Sequence, residues 1–145
     1  MNDSRQRTVA SESLLSGLND ALNREVSTCL RYLLQVASLK GVEWANLRDL
    51  YATEVQDELG HAQYLANKIV MLGGEPSLDP DLEKPPKNPR TMLGLDIDQE
   101  MVDVQGYREL AEQAAEEGLI ELQLKMEERA ADEARHAEEL TRMLG

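Results

Sequence analysis

The sequence has no phenylalanine, a single tryptophan, a single cysteine and only two histidines in 145 residues. Cys29 alone cannot form an internal disulfide, which fits a reducing cytoplasm. No apolar run approaches the ~18 residues of a membrane span, and the first residues are polar, so we expect neither a membrane helix nor a signal peptide. These absences predict a cytoplasmic protein whose core consists of Leu, Ile, Val, Met and Ala.

Basic residues are also scarce. The chain has 15 Lys and Arg against 28 Asp and Glu, which gives a net charge of −13. Nucleic acids and anionic membrane surfaces are bound by basic protein surfaces, so neither is an expected partner.

All five prolines lie between positions 76 and 89, and the rest of the chain is rich in strong helix formers. The hydrophobic period predicts four helices, at Ser11–Lys40, Glu43–Leu72, Pro89–Glu117 and Leu119–Leu144. The short breaks at Gly41 and Gly118 favour antiparallel hairpins, whereas the proline-rich residues 73–88 form a long crossover. We therefore expect an all-α, single-domain four-helix bundle over residues 1–145, with a flexible N-terminus at 1–10.

The two histidines occur in the same five-residue frame, "DELGH" at 57–61 and "DEARH" at 132–136. A shift of 75 residues superposes these frames and also places Glu25 on Glu100 and Tyr32 on Tyr107. The chain is therefore an internal repeat of one helical hairpin, in which polar residues match as well as apolar ones.

The matched polar residues interrupt apolar stripes near the middle of their helices. The first helix is expected to bury Leu18, Leu22, Glu25, Cys29, Tyr32 and Val36, and the third Leu93, Ile97, Glu100, Val104, Tyr107 and Ala111. Four glutamates and two histidines in an apolar interior need a neutralising cation, and two divalent ions balance four carboxylates. Carboxylates with one imidazole per ion suit iron or manganese, and zinc is also possible. The predicted metal ligands, which would also be the catalytic residues, are Glu25, Glu58, His61, Glu100, Glu133 and His136.

A glutamate and a histidine at i and i+3 point the same way, so each frame can hold one ion and its glutamate can bridge to the other. Asp57 or Asp132 is placed to accept the second ring proton of a histidine on another helix. Tyr32 and Tyr107 are interpreted as core residues that close the site. Glu54 and Arg129 occupy equivalent repeat positions one turn away, where they either pair with each other or line a polar path.

Over about Leu18 to Leu144 the chain resembles the bacterioferritins of the ferritin-like superfamily, on the segments "ALNREV", "DELGHA", "NPRTML", "YREL" and "DEARHA". The resemblance implies a ferritin-like bundle in which the six ligands bind two irons per chain and Glu58 and Glu133 bridge them. It further implies a homo-oligomeric ferroxidase that oxidises Fe(II) with dioxygen or hydrogen peroxide, for iron storage or detoxification.

Two departures from that family qualify the expectation. Haem-binding bacterioferritins have methionine directly after the first-hairpin glutamate, where this chain has Leu59, so we expect no haem. The chain ends at Gly145, nine residues after His136, without the fifth helix of the family. A dimer or a dodecamer is then an alternative to the 24-subunit cage.

Two other functions remain open. Asp103 lies one turn after Glu100, where rubrerythrins carry an extra carboxylate, which suggests a peroxide-reducing enzyme. Aspartate is shorter than the usual glutamate there, however, and the chain lacks a four-cysteine rubredoxin module. The other alternative is a structural bundle whose metals only hold the fold, which steady-state Fe(II) oxidation would separate from both enzymes.

Overall fold

The computed structural model describes residues 10–145, in which four long helices form the bundle that the sequence predicts. They are α1 (Glu12–Ser38), α2 (Ala45–Met71), α3 (Pro89–Glu116) and α4 (Ile120–Leu144), and a short 3-10 turn at Val42–Trp44 precedes α2. Each boundary lies within two residues of its prediction. Most of the predicted flexible N-terminus lies outside the described residues; its last residue, Ala10, is buried and donates its N–H to the Leu72 carbonyl.

The helix ends carry the capping chemistry that their sequences predict. Ser11 Oγ accepts from the Leu14 N–H at the start of α1, and Asn88 accepts from two backbone N–H groups ahead of α3, with Pro89 at the first helical position. Gly41 and Gly118 adopt φ of +101° and +74°, a conformation that favours glycine. These turns fold the chain into two antiparallel hairpins.

The crossover between α2 and α3 runs extended along α1, held by side chains one helical turn apart. Four helical residues rise about 6.0 Å, and two extended residues span about 6.6 Å, so every fourth residue of α1 meets every second residue of the crossover. Asn19, Asn23 and Ser27 accordingly bond to the backbone of Glu75, Ser77, Asp79 and Asp81. The crossover thereby covers α1 beside the middle of the bundle.

Helix α1 packs against α2 and α3, and α3 packs against α4. The apolar core forms two clusters at opposite ends of the bundle. One contains Leu14, Leu18, Leu65, Ile69, Leu122 and Met126, and the other contains Tyr32, Leu47, Tyr51, Met92, Leu93 and Leu140. A layer of buried polar side chains lies between them. No helix among residues 10–145 is both long and apolar enough to cross a membrane.

The predicted buried faces of α1 and α3 are wrong at four positions, because in each case the preceding residue is buried in place of the predicted one. Cys29, Val36, Ile97 and Val104 are only half-buried, whereas their polar neighbours Thr28, Gln35, Asp96 and Asp103 are buried. Each of the two aspartates is paired with an arginine of α1. Arg31 Nε lies 2.9 Å from Asp96 Oδ1, and Arg24 Nε lies 3.2 Å from Asp103 Oδ1. These pairs permit carboxylates where hydrophobicity alone predicts aliphatic side chains.

Candidate metal centre

The structure brings all six predicted ligands together in the buried polar layer at mid-bundle. Helix α1 supplies one glutamate, α2 a glutamate and a histidine, α3 one glutamate, and α4 a glutamate and a histidine. All six side chains are buried: Glu25, Glu58, His61, Glu100, Glu133 and His136. The i, i+3 spacing places each glutamate and histidine of a frame on the same face of its helix, directed at the other hairpin.

Two of the glutamates are shared between the imidazoles. Glu58 lies 3.9 Å from His61 Nδ1 and 3.6 Å from His136 Nδ1, and Glu133 lies 3.3 Å and 3.8 Å from the same two atoms. Both histidines therefore direct Nδ1 into the centre, and the carboxylates of the two frames stand between them. This is the placement required of bridging ligands.

The other two glutamates each face one histidine. Glu25 Oε2 is 3.5 Å from His61 Nδ1, and Glu100 Oε2 is 4.0 Å from His136 Nδ1. The centre therefore divides into a first half around His61 and a second half around His136. In the first half, donor atoms of Glu25, Glu58, His61 and Glu133 lie within 4.8 Å of one another.

Glu54 is a member of the centre that the sequence analysis did not assign. It is 3% exposed, and its Oε2 lies 2.7 Å from His136 Nδ1. With Glu58, Glu100 and His136 it forms a second group of donor atoms within 4.8 Å. The available signal was its position four residues before Glu58, which puts both carboxylates on one face of α2. Arg129 pairs with Asp132 instead, with its Nη1 3.4 Å away, and its guanidinium makes no ion pair with Glu54 within 4.0 Å.

The two predicted tyrosines are buried and each donates a hydrogen bond across the α1–α3 contact. Tyr32 Oη donates to Glu100 Oε1 at 2.5 Å, and Tyr107 Oη donates to Glu25 Oε1. Each bond fixes one oxygen of Glu25 or Glu100, the terminal glutamates that each face a single histidine. The other oxygen remains free to face that histidine. The bonds follow the internal repeat, so the two halves are oriented in the same way.

Burial changes the protonation of the centre. Burial raises the pKa of Glu100, and its contact with Glu133 adds to this, which takes it to about 12. Burial would also raise the pKa of Glu133, but the two imidazoles outweigh it, and the pKa of Glu133 is lowered. Although burial opposes their charge, contacts with Glu133 and other carboxylates raise the pKa of His61 to about 9 and that of His136 to about 10. The metal-free centre therefore holds protons at neutral pH.

The donor atoms at the heart of the centre lack hydrogen-bond partners. Both oxygens of Glu58 and of Glu133, and the Nδ1 atoms of both histidines, are buried without one. Glu54 and His136 illustrate the point, because their atoms are 2.7 Å apart without hydrogen-bond geometry. Unsatisfied buried acceptors are costly and rare in native proteins. Oxygen and imidazole donors left in this state fit a site for divalent cations of the iron, manganese or zinc type.

A cleft between α2 and α4 opens onto the two imidazoles. Its lining includes Asp57, Asp132, Arg129 and Arg135 around the two histidines. Asp132 Oδ2 lies 3.7 Å from His61 Nε2, on the helix opposite that histidine, as expected for an outer partner of a ligand. Asp57 has no equivalent contact within 4.0 Å of His136 in residues 10–145. Asp132 therefore lies beside a histidine of the opposite hairpin as predicted, but at 3.7 Å it is beyond hydrogen-bond distance.

Asp103 lies on the side of the centre away from the cleft. One of its oxygens falls within 4.8 Å of donor atoms of Glu100 and Glu133. Burial is the main reason that the pKa of Asp103 is raised to about 8, and Arg24 opposes the rise. Arg24 therefore favours the ionised form of this additional carboxylate.

The family model described as the ferritin-like domain matches residues 15–145. A ferritin-like diiron-carboxylate protein from Bacillus anthracis is 34% identical over 99% of this chain and 100% of its own, with a TM-score of 0.87. A Rhodobacter capsulatus bacterioferritin, described with a metal-free dinuclear site and haem iron, is 27% identical over 94% and 86%, with a TM-score of 0.83. A dodecameric thioferritin from Bacteroides fragilis shares the fold at 23% identity over 97% and 89%, with a TM-score of 0.84. No curated protein matches the chain.

Proposed function

The chain belongs to the ferritin-like domain family, and we propose that it is a di-iron ferroxidase that oxidises Fe(II) with dioxygen or hydrogen peroxide, in iron storage or detoxification. One observation carries the proposal: two histidines and four glutamates, contributed by all four helices, direct partnerless donor atoms at one another in a buried layer. A merely structural polar layer would be satisfied by hydrogen bonds within the protein.

The ligands divide between two ions as the distances suggest. Glu25 and His61 would hold one ion, Glu100 and His136 the other, and Glu58 and Glu133 would bridge them. Two iron ions each supply one electron, which together convert dioxygen and two protons into hydrogen peroxide, or hydrogen peroxide and two protons into two waters. The four glutamates of the predicted ligand set balance the charge of two divalent ions, and Glu54 adds one further carboxylate.

The side chains around the ions hold and move protons. Loading the centre displaces protons from the two imidazoles and from Glu100, because these groups are protonated in the metal-free protein at neutral pH. Tyr32 and Tyr107 keep the terminal glutamates oriented. The cleft at Asp57 and Asp132 supplies a carboxylate-lined path by which Fe(II) reaches the imidazoles.

A peroxide-reducing activity of the rubrerythrin type is the second candidate, and Asp103 is the observation that favours it. This carboxylate is within reach of the centre, as an extra ligand would be. The two functions are separated by the oxidant. Under the ferroxidase proposal, Asp103→Asn keeps most of the Fe(II) oxidation rate with dioxygen, whereas under the alternative it abolishes the rate with hydrogen peroxide.

The direct test of the proposed function has two parts. Anaerobic Fe(II) titration should saturate at about two tight sites per chain, by the ligand count, and steady-state oxidation should turn over more iron than the sites hold. Saturation at one ion or none in folded protein refutes the di-iron centre. Two bound ions without turnover would support a structural role for the metals.

We also expect a homo-oligomer. Helix α1 exposes Leu30, Leu33 and Leu34, and α2 exposes Leu59; leucines of this kind on a helical surface are typical of a contact between subunits. Native mass measurement distinguishes a dimer, a dodecamer and a 24-subunit cage.

A further inference from the structure

The internal repeat fails at two places around the centre, where Glu54 corresponds to Arg129 and Thr28 to Asp103. A shift of 75 residues superposes the six ligands in matched pairs but places Glu54 on Arg129. The two halves of the centre therefore differ by a carboxylate on one side and a guanidinium on the other. Because the six predicted ligands are matched in pairs, Glu54 and Arg129 make the local charge different at the two ion positions.

Glu54 adds a donor to the second half only. Its carboxylate contacts His136 at 2.7 Å, and none of its oxygens comes within 4.0 Å of His61. The oxygen that faces His136 is buried and has no hydrogen-bond partner. A negative charge that is held in this way, with no cation beside it in residues 10–145 other than the imidazole, attracts a metal ion to the His136 half.

Arg129 acts on the first half in the opposite sense. Its Nη1 lies 3.4 Å from Asp132, the aspartate that lies 3.7 Å from His61 Nε2. The guanidinium also stacks over Tyr64, 5.8 Å from the ring centre, which fixes its position beside α2. From this position the positive charge of Arg129 opposes a divalent ion at the His61 half by electrostatic repulsion.

The remaining charge near the centre does not reverse this difference. Asp103 reaches the centre from α3, but Arg24 of α1 lies 3.2 Å from it and offsets its charge. Arg31 is similarly bound to Asp96, outside the ligand layer. Asp132 does not cancel the charge of Arg129, because Arg135 Nη1 also lies 3.3 Å from that carboxylate. The net asymmetry is therefore the one set by Glu54 and Arg129.

We propose that Glu54 is an additional metal ligand of the His136 half, so that this half binds a divalent ion first and more tightly, while the His61 half fills second and exchanges its ion more readily. The inference rests on the proposed di-metal function. The ion that binds first would be held by Glu54, Glu100 and His136. The ion that binds second and exchanges more readily would be held by Glu25 and His61, beside the cleft residue Arg129.

Anaerobic titration with Co(II), followed by calorimetry and visible absorption, tests the order of binding. The parent should show two steps whose Kd values differ by about tenfold or more, the ratio that about 1.4 kcal/mol gives. Glu54→Gln should weaken the first step by a similar factor, and Arg129→Gln should tighten the second. A crystal soaked with one equivalent of Zn(II) should show its anomalous peak beside His136.

The controls separate failure of this inference from failure of the proposed function. Glu128→Gln removes an exposed charge next to Arg129 and should leave both steps unchanged. Two steps of equal affinity in the parent, an unchanged first step in folded Glu54→Gln, or the zinc peak beside His61 would each overturn the inference while leaving a di-metal centre intact. A parent that binds one ion or none refutes the di-metal function itself.

Discussion

Removing the charge of both shared glutamates tests the centre through the stability of the fold. Glu58→Gln with Glu133→Gln keeps the side-chain volumes but removes the two carboxylates that lie within 4.0 Å of both imidazoles. Each protein is compared with its own chelated form, so that any effect of the substitutions on the metal-free fold cancels. The measured quantity is the rise in melting temperature that Zn(II) or Co(II) produces at one pH.

The size of the effect follows from mass action. An ion that binds only the folded chain stabilises it by about 2.7 kcal/mol at 100 times its Kd, so two ions add about 5 kcal/mol. At about 2–4 °C per kcal/mol for a chain near this length, the parent should melt about 10–20 °C higher with metal than with chelator. The double variant should lose most of that rise, because neither ion keeps its full set of donors.

A matched control removes the same amount of charge far from the centre. Glu109→Gln with Glu112→Gln changes two exposed residues of α3 and should retain the full metal-induced rise. If the double variant at the centre keeps the parent's rise, Glu58 and Glu133 are not metal ligands and the bridging assignment is wrong.

Three further predictions follow from the protonation and hydrogen bonding of the centre. The folded-state pKa values of His61 and His136, about 9 and 10, lie above the ordinary 6.5. The two protonated imidazoles therefore stabilise the metal-free fold fully below pH 6.5, and this stabilisation is lost as pH rises through 9 to 10. Metal affinity should rise over pH 6–8, and calorimetry in buffers of different ionisation enthalpy should detect the protons that the metal displaces. Tyr107→Phe and Tyr51→Phe should each lower the free energy of unfolding by about 1–3 kcal/mol, because each leaves a buried carboxylate oxygen unpaired. Only Tyr107→Phe should weaken Co(II) binding, and equal binding by both variants would contradict the role given to Tyr107. Haem reconstitution should leave no Soret band after gel filtration, because Leu59 offers no sulfur; a stoichiometric band would refute this.

The sequence predicts the bundle well because its signals are local and repeated. Glycine breaks, an Asn–Pro helix start and a 75-residue repeat each require only neighbouring residues or a simple comparison of the two halves. The six predicted ligands emerge for the same reason, since the repeat distinguishes them from the other acidic residues of the chain. Helix ends deviate by up to two residues, where capping and the 3-10 turn at Val42–Trp44 decide the boundary.

The sequence does not predict the buried residues that have partners on other helices. Asp96 is fully buried because Arg31 pairs with it and Tyr51 Oη donates to it at 2.5 Å. Hydrophobicity favours burial of the neighbouring Ile97 instead. Asp96 is buried in its place because side chains from α1 and α2 pair with its carboxylate. Glu54 is missed for a related reason, because its repeat counterpart is Arg129 and comparison of the halves cannot recognise a residue that breaks their symmetry.

The position of the polar layer explains how a chain with so many buried charges remains a stable bundle. Apolar clusters lie at both ends of the helices, and they fix the four backbones on either side of the layer without any contribution from the ligands. The tyrosine hydrogen bonds to Glu25 and Glu100 then orient the carboxylates before metal arrives. The cost of unsatisfied donors is thus confined to a layer that the surrounding core can support, and the proposed metal binding would relieve it. We therefore expect ions to bind with little rearrangement of the backbone, so that the two proposed affinities depend mainly on local charge, which in this chain differs at Glu54 and Arg129.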